Sequence, residues 1–254
     1  MILNIKHFVI FITIVGLTSC DDRPQALSEV QGKQLPISDS LRPSDSIEAF
    51  VAPYRKRVNE VLDSTLAYAA FTISKEEGDL NTPAGNLMAD ILLEQVSPIF
   101  ESRSGKAVDF VVLNHGGIRS IISQGDVSAR TAYEVMPFEN SISVVELNGQ
   151  LVRRLIAHLI QADRPHPISG MQIVIDRNDR LQSVNIQGKP FDENRNYFVA
   201  TSSYLVSGGD DMGFFKDGLS FEDTNYLIRN AMIDYFKKTD TLRPIIDDRF
   251  IKLN

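Results

Sequence analysis

The sequence predicts an α+β fold, mixed sheets with packed helices, on three observations. Apolar residues recur at helical spacing in several separate stretches. Met171 to Ser202 alternates instead with the period of two that marks strands. Strands and helices also follow one another without the regular βαβ repeat of a doubly wound sheet. No internal repeat stands out.

Residues 1–19 are set apart from this domain. Lys6 supplies a charged start, Phe8 to Leu17 an apolar core, and Leu17-Thr18-Ser19-Cys20 the form of a bacterial lipobox. The apolar run is shorter than the roughly 20 residues a membrane span needs. It reads as a lipoprotein signal peptide cut before Cys20, the residue that takes the lipid. Cys20 is the only cysteine of the chain, so no intramolecular disulfide is available. Residues 20–45, with Pro24, Pro36, Pro43 and several serines, read as a lipidated N-terminus and flexible linker. The expected location is that of an exported bacterial lipoprotein, membrane-anchored through Cys20, periplasmic or at the cell surface. Residues 46–254 are on the order of 200, enough for one domain with a full core.

Within that domain, Phe50, Val51, Tyr54, Val58, Val61 and Leu62 predict a helix from Ile47 to about Leu66 after a Ser-Asp-Ser start. Leu87, Met88, Ile91, Leu92 and Val96 predict a second from Ala84 to Ile99. Asp109 to Leu113 reads as a buried strand, Ser128 to Val135 as a short helix and Ile142 to Leu147 as a strand. Gly149 to Gln161 is a helix with Leu151, Leu155, Ile156 and Leu159 on one face. Three short strands follow between Met171 and Ser202, with Asp-Arg-Asn-Asp and Gln-Gly-Lys-Pro as turns. Asn225 to Lys237 is the last helix, before an extended end.

Charge and residue inventory exclude several functions. The formal charge is −7, with no basic face to displace counterions from a nucleic-acid polymer. A binuclear phosphoesterase needs histidines and carboxylates converging on two metals, whereas beyond residue 19 there are only His115, His158 and His166, none in a metal-binding motif. Gly-x-Ser-x-Gly does not occur. Asp210 and Asp211 are adjacent carboxylates but do not make an active centre. No catalytic residue, metal ligand or cofactor is assigned to this chain.

The chain does carry a binding kit. Adjacent glycines, Gly116 and Gly117, follow the strand ending at Leu113, and Arg119 presents a planar fork suited to phosphate or carboxylate. Asn114 and Asn140 each offer an amide that donates and accepts, which suits the edge of a nucleobase. Phe138 lies in a loop between Pro137 and Glu139; the competing reading is a plug in the core. A second loop, Thr201 to Asp210, adds Tyr204, Gly208, Gly209 and Asp210. Two loop aromatics can take the faces of one base, and an adjoining acid can bind a ribose diol.

The stretch from about Asn81 to Asp210 resembles the C-terminal, substrate-binding domain of the 5'-nucleotidase family, which includes UDP-sugar hydrolases and ecto-5'-nucleotidases. The carrying motifs are Thr82-Pro-Ala-Gly85-Asn-Leu, Asn114-His-Gly-Gly-Ile-Arg119, Gly125-Asp126 with Pro137-Phe-Glu-Asn140, and Tyr204 to Asp210. The resemblance implies a base clamped between Phe138 and Tyr204, Asn114 and Asn140 on its edge, Arg119 on the phosphate or ribose side and Asp210 on the ribose hydroxyls. Tyr204 stands where the family typically has phenylalanine. Only Lys75 is basic in Ser74 to Asp79, where relatives carry arginines.

The family's metal-binding catalytic domain precedes this one, and here that place is read as signal peptide and leash. Three readings follow. The preferred one is the substrate-recognition half of a split 5'-nucleotidase acting in nucleotide catabolism, whose divalent metals reside in a separate metallophosphoesterase chain. The others are a stand-alone nucleoside- or nucleotide-binding lipoprotein and a structural interaction module.

Overall fold

The computed structural model describes residues 29–253 except 39 and 163, so the stretch read as a signal peptide and Cys20 lie outside the described residues. The chain divides into two units, Met1–Phe50 and Val51–Asn254. In the first, residues 29–38 are exposed and without regular structure.

Helix α1 (Asp45–Leu62) buries none of its residues and ends four residues before the predicted Leu66. The next residues instead form strand β1 (Thr65–Ala69), with Ala67 and Ala69 turned into the core. Two small alanines at a period of two leave no apolar signature strong enough to break a helical reading. Helix α2 (Pro83–Ser104) starts with Thr82, whose hydroxyl accepts the Gly85 N–H at 3.0 Å, and Pro83. It runs through Pro98 to a left-handed cap at Gly105, past the predicted end at Ile99. Strand β3 (Gly125–Ser128) pairs antiparallel with β1, and helix α3 (Ala129–Val135) follows it.

The central sheet has the order β10-β4-β9-β2-β5, built from β2 (Phe110–Val112), β4 (Ser141–Asn148), β5 (Ile168–Ser169), β9 (Asn196–Ser202) and β10 (Ser220–Leu227). Its alternating residues feed two cores. Val111, Leu113, Ile142, Val144 and Ala200 pack with α2, α3 and α6 (Ile228–Lys238). Phe110, Val112, Val145, Leu147, Tyr197 and Val199 pack with α4 (Gly149–Gln161) and with Phe214 and Phe215. A sheet covered on both faces produces the nearly continuous apolar run of Phe110 to Leu113.

Strand β10 replaces the start of the predicted last helix, which begins at Ile228 rather than Asn225. It is an edge strand bulged near Asn225, which has φ 55°, and its polar Glu222, Asp223 and Thr224 give no apolar alternation. The three strands predicted between Met171 and Ser202 are β6 (Met171–Ile175), β7 (Leu181–Ile186) and β9, with the two-residue β8 (Lys189–Pro190) between the last two. β6, β7 and β8 form a separate four-stranded sheet with β12 (Phe250–Lys252), while a three-stranded sheet joins β11 (Thr241–Leu242), β1 and β3. Among the described residues no helix is long and apolar enough to cross a membrane.

Topology fixes where the binding kit goes. β2 and β9 are parallel, with Val111 opposite Ala200, so their carboxyl ends share one edge. β4 runs antiparallel to β9, with Ile142 opposite Ser202, so its beginning reaches the same edge.

Candidate ligand pocket

At that edge the segments after β2, before β4 and after β9 enclose a pocket of about 360 Å³. Its walls are Asn114, Gly116, Gly117, Arg119, Phe138, Asn140, Tyr204 and Asp210, residues up to 96 positions apart in sequence (210 minus 114). Phe138 is 42% and Tyr204 40% exposed, so neither ring plugs the core. Neither Asn114 nor Asn140 commits its side-chain amide to a hydrogen bond with another described residue.

The first wall is a tight 3₁₀ turn, His115–Gly117, closed by the Gly117 N–H on the Asn114 carbonyl at 3.0 Å. A Cβ on Gly117 would stand 3.0 Å from Asn114 Oδ1, so glycine lets the backbone lie against the amide. Arg119 donates from Nη1 to the Gly116 carbonyl at 3.2 Å, and its guanidinium lies 5.9 Å from the centre of the Phe138 ring. The His115 N–H donates to His166 Nδ1 at 3.4 Å. Burial, with the nearby His158 reinforcing it, pushes the His166 imidazole down to about 4, keeping that nitrogen an acceptor.

The second wall depends on Arg229 of α6. This buried guanidinium donates to the Pro137 and Phe138 carbonyls at 3.4 Å, pairs with Glu139 and lies 4.1 Å from the Tyr133 ring centre. The Asn140 carbonyl accepts the Ile228 N–H at 3.0 Å, and Ser203 Oγ accepts the Ser141 N–H at 3.2 Å. The Phe138 loop is thereby held by both α6 and the third wall.

The third wall is not the open loop expected from the sequence. It begins with a helical turn, α5 (Ser203–Val206), capped by Ser202, and continues through 3₁₀ turns at Gly209–Asp211 and Gly213–Asp217. The Tyr204 hydroxyl donates to Asp210 Oδ1 at 3.0 Å. Asp210 and Asp211 both hold left-handed backbone, at φ 50° and 58°, a conformation that costs a non-glycine residue about 1–3 kcal/mol. Gly208 and Gly209, expected to touch ligand, stand outside the lining. Gly209 acts at one remove: a Cβ there would fall 2.3 Å from Tyr204 Cζ, so the ring lies flat on its backbone. Gly208 has φ 92°, which turns the chain toward Asp210.

Residues 61–217 match the family model of the 5'-nucleotidase C-terminal domain. The chain belongs to this family. It is 24% identical over 236 residues to a 5'-nucleotidase of Vibrio cholerae, covering 87% of this chain and 39% of the relative. It is 23% identical over 201 residues to protein UshA of Yersinia enterocolitica, covering 78% and 35%. The chain thus spans little more than a third of the curated relatives it matches. The structure of a 5'-nucleotidase precursor from Thermus thermophilus superposes with a TM-score of 0.68 at 22% identity, over 84% of this chain and 44% of that one. The Haemophilus influenzae NAD nucleotidase superposes with 0.61 at 18%, over 83% and 42%. These superpositions support the α+β fold.

In this 5'-nucleotidase domain, one recognition motif builds the frame and not the pocket. Asn81 Nδ2 donates to the Asp247 and Phe250 carbonyls, and Asn86 Nδ2 to Asn81 Oδ1 and the Ile245 carbonyl. Arg249 completes the knot with hydrogen bonds to Asp90, Asp247 and the Ile168 carbonyl. Arg229 and Arg249 are largely buried, and residue type alone does not distinguish them from exposed arginines. The available signal for Arg229 is its place between Ile228 and Ala231-Met232, on the buried side of α6. Among the described residues no group of three or more His, Cys, Asp or Glu side chains is placed to hold a metal ion.

Proposed function

We propose that this chain is the substrate-recognition half of a split 5'-nucleotidase that acts in nucleotide catabolism. Phe138 and Tyr204 take the two faces of a nucleobase, while Asn114 and Asn140 read its edge. Arg119 meets phosphate or the ribose side, and Asp210 holds the ribose. Gly116 and Gly117 bring backbone against the ligand. A separate exported metallophosphoesterase chain supplies the divalent metals and the nucleophilic water, and the lipid on Cys20 tethers the recognition half to a membrane.

The observation that carries this reading is the convergence of two half-exposed rings, two uncommitted amides, a guanidinium and a carboxylate in one pocket. Each group matches a chemical feature of a nucleotide. Calorimetric titration of the purified chain with nucleosides, nucleotides and UDP-sugars tests it directly. Saturable one-to-one binding is expected, without metal-dependent phosphate release from AMP. Absence of binding across the panel, or chelator-sensitive turnover by the pure chain, overturns the reading. Incorporation of labelled palmitate, lost in Cys20→Ser, tests the anchor.

A second reading, a stand-alone nucleoside-binding lipoprotein, draws support from Arg119 being the one cation that lines the pocket among the described residues. It predicts nucleosides binding as tightly as their monophosphates.

A further inference from the structure

The loop that carries Phe138 and Asn140 gains little from burial, because Pro137, Phe138 and Glu139 are all exposed. Apolar packing does not hold it. Every hydrogen bond that another described residue makes to segment 137–140 comes instead from two consecutive residues of α6, Ile228 and Arg229. Leu227, which precedes that helix, provides no side-chain cap, so the Asn140 carbonyl accepts the N–H of Ile228 that the helix itself leaves free. Arg229 donates to the Pro137 and Phe138 carbonyls and to the Glu139 carboxylate. Its side chain is 5% exposed, against 74% for Glu139, and it does not line the pocket.

No single one of these bonds fastens the loop. The two carbonyl bonds are long, at 3.4 Å, and solvent weakens a pair made with an exposed carboxylate. The hold comes from their sharing one buried charge. Lifting the loop would remove three acceptors at once from a guanidinium whose Nε already has none. The Tyr133 ring, 4.1 Å away, fixes the guanidinium from α3.

We propose that Arg229 is the positioning residue of the ligand pocket, holding the Phe138 ring and the Asn140 amide in place before a ligand arrives. This rests on the reading that both groups meet the base. Arg229 touches no ligand. It removes the need to order two side chains on binding, and affinity rises accordingly. Lysine is no equivalent, because an ammonium lacks the planar fork that serves carbonyls and carboxylate together while lying against a ring.

The chain holds no tryptophan, so Phe138→Trp places a sole indole on the loop and keeps a stacking ring. In that background the ligand-free indole is expected to be rigid by fluorescence anisotropy decay, and Arg229→Met to free it. Adenosine and uridine should then bind about tenfold more weakly by calorimetry, the effect of having two side chains left to order. Arg229→Lys should loosen the indole to an intermediate degree. Glu139→Ala, at an exposed position, should loosen it too and weaken binding by about threefold, and it carries the test if Arg229→Met does not fold. Arg249→Met controls for stability alone, with lowered melting, a rigid indole and affinities within about twofold of the parent. An indole as rigid in Arg229→Met and Glu139→Ala as in the parent overturns the proposal. So do affinities that stay within about twofold in both, or equal loosening in Arg249→Met. Phe138→Ala distinguishes these failures from that of the underlying reading. Nucleoside binding indifferent to Phe138→Ala takes the base off the ring, whatever Arg229 does to the indole, and the proposal ends with it.

Discussion

Two regions of this domain are built from equally polar sequence motifs and use their polar groups in opposite ways. In the knot around α2, Asn81, Asn86 and Arg249 direct almost every donor into the protein, with Asn86 Oδ1 the buried atom left without a partner. In the pocket at the end of β2, β4 and β9, Asn114 and Asn140 direct their amides at no described residue. Residue type is the same; satisfaction differs. A motif asparagine whose amide N–H groups are bonded internally holds the fold, and one whose amide meets no described residue is left facing the pocket.

Acid gives the widest separation between the two regions. His166 has its folded value near 4 against an ordinary 6.5, so the unfolded chain takes up the proton first. Stability on the pocket side should therefore fall as pH drops from about 6.5 toward 4, by ~1.4 kcal/mol per unit at most, about 3 kcal/mol in all. Asp247 behaves otherwise. Burial opposes its charge, but the hydrogen bonds from Arg249 outweigh that and hold its carboxyl below the usual range. The knot's contribution is present above the ordinary carboxylate value and is lost only as pH falls through the lower folded one. Urea midpoints measured from pH 7 to 3 should show an early decline that His166→Gln flattens. A wild-type midpoint constant down to pH 5 contradicts the assignment.

Removing Arg249 should act on the fold alone. Arg249→Met strands Asp90, Asp247 and a carbonyl, at about 2–3 kcal/mol. That corresponds to roughly 5–10 °C in a domain of this size, with nucleoside affinity unchanged. If thermal melting barely shifts while binding fails, the division between frame and pocket is misdrawn.

The rings should show the reverse pattern. Phe138→Ala and Tyr204→Ala each remove about 1–3 kcal/mol of stacking, a five- to hundredfold loss in affinity. Half-exposed rings leave melting nearly unmoved, whereas truncating a buried one would cost about 3–5 kcal/mol of stability. Arg119→Ala should weaken nucleotides more than nucleosides. Equal losses would move this guanidinium from phosphate to base or ribose.

Gly209→Ala should have the smallest effect. The added methyl displaces the Tyr204 ring without removing it, and an affinity loss of about fivefold is expected. Wild-type affinity in this variant would mean that the ring has room elsewhere and that its seat does not matter.

The sequence made the pocket more legible than the frame around it, for physical reasons. Glycine pairs, an isolated loop aromatic and an arginine after a strand are unusual enough to be noticed one at a time, and the shared sheet edge brings them together. β1 and β10 carry their alternation on alanines and on polar residues, which leaves no apolar strand signature. Arg229 carries only a weak signal, its place beside Ile228, Ala231 and Met232 on the buried side of α6. Gly208 and Gly209 carry the backbone permissiveness that the sequence suggests. What Gly209 approaches is the Tyr204 ring.

That seat gives the ring a blind side. The face of Tyr204 turned to Gly209 is closed to any planar molecule, so a column of stacked rings that arrives at Tyr204 ends there and cannot continue past it. A platform of this kind suits a monomer or a chain terminus. It gives an internal residue of a polymer no way through.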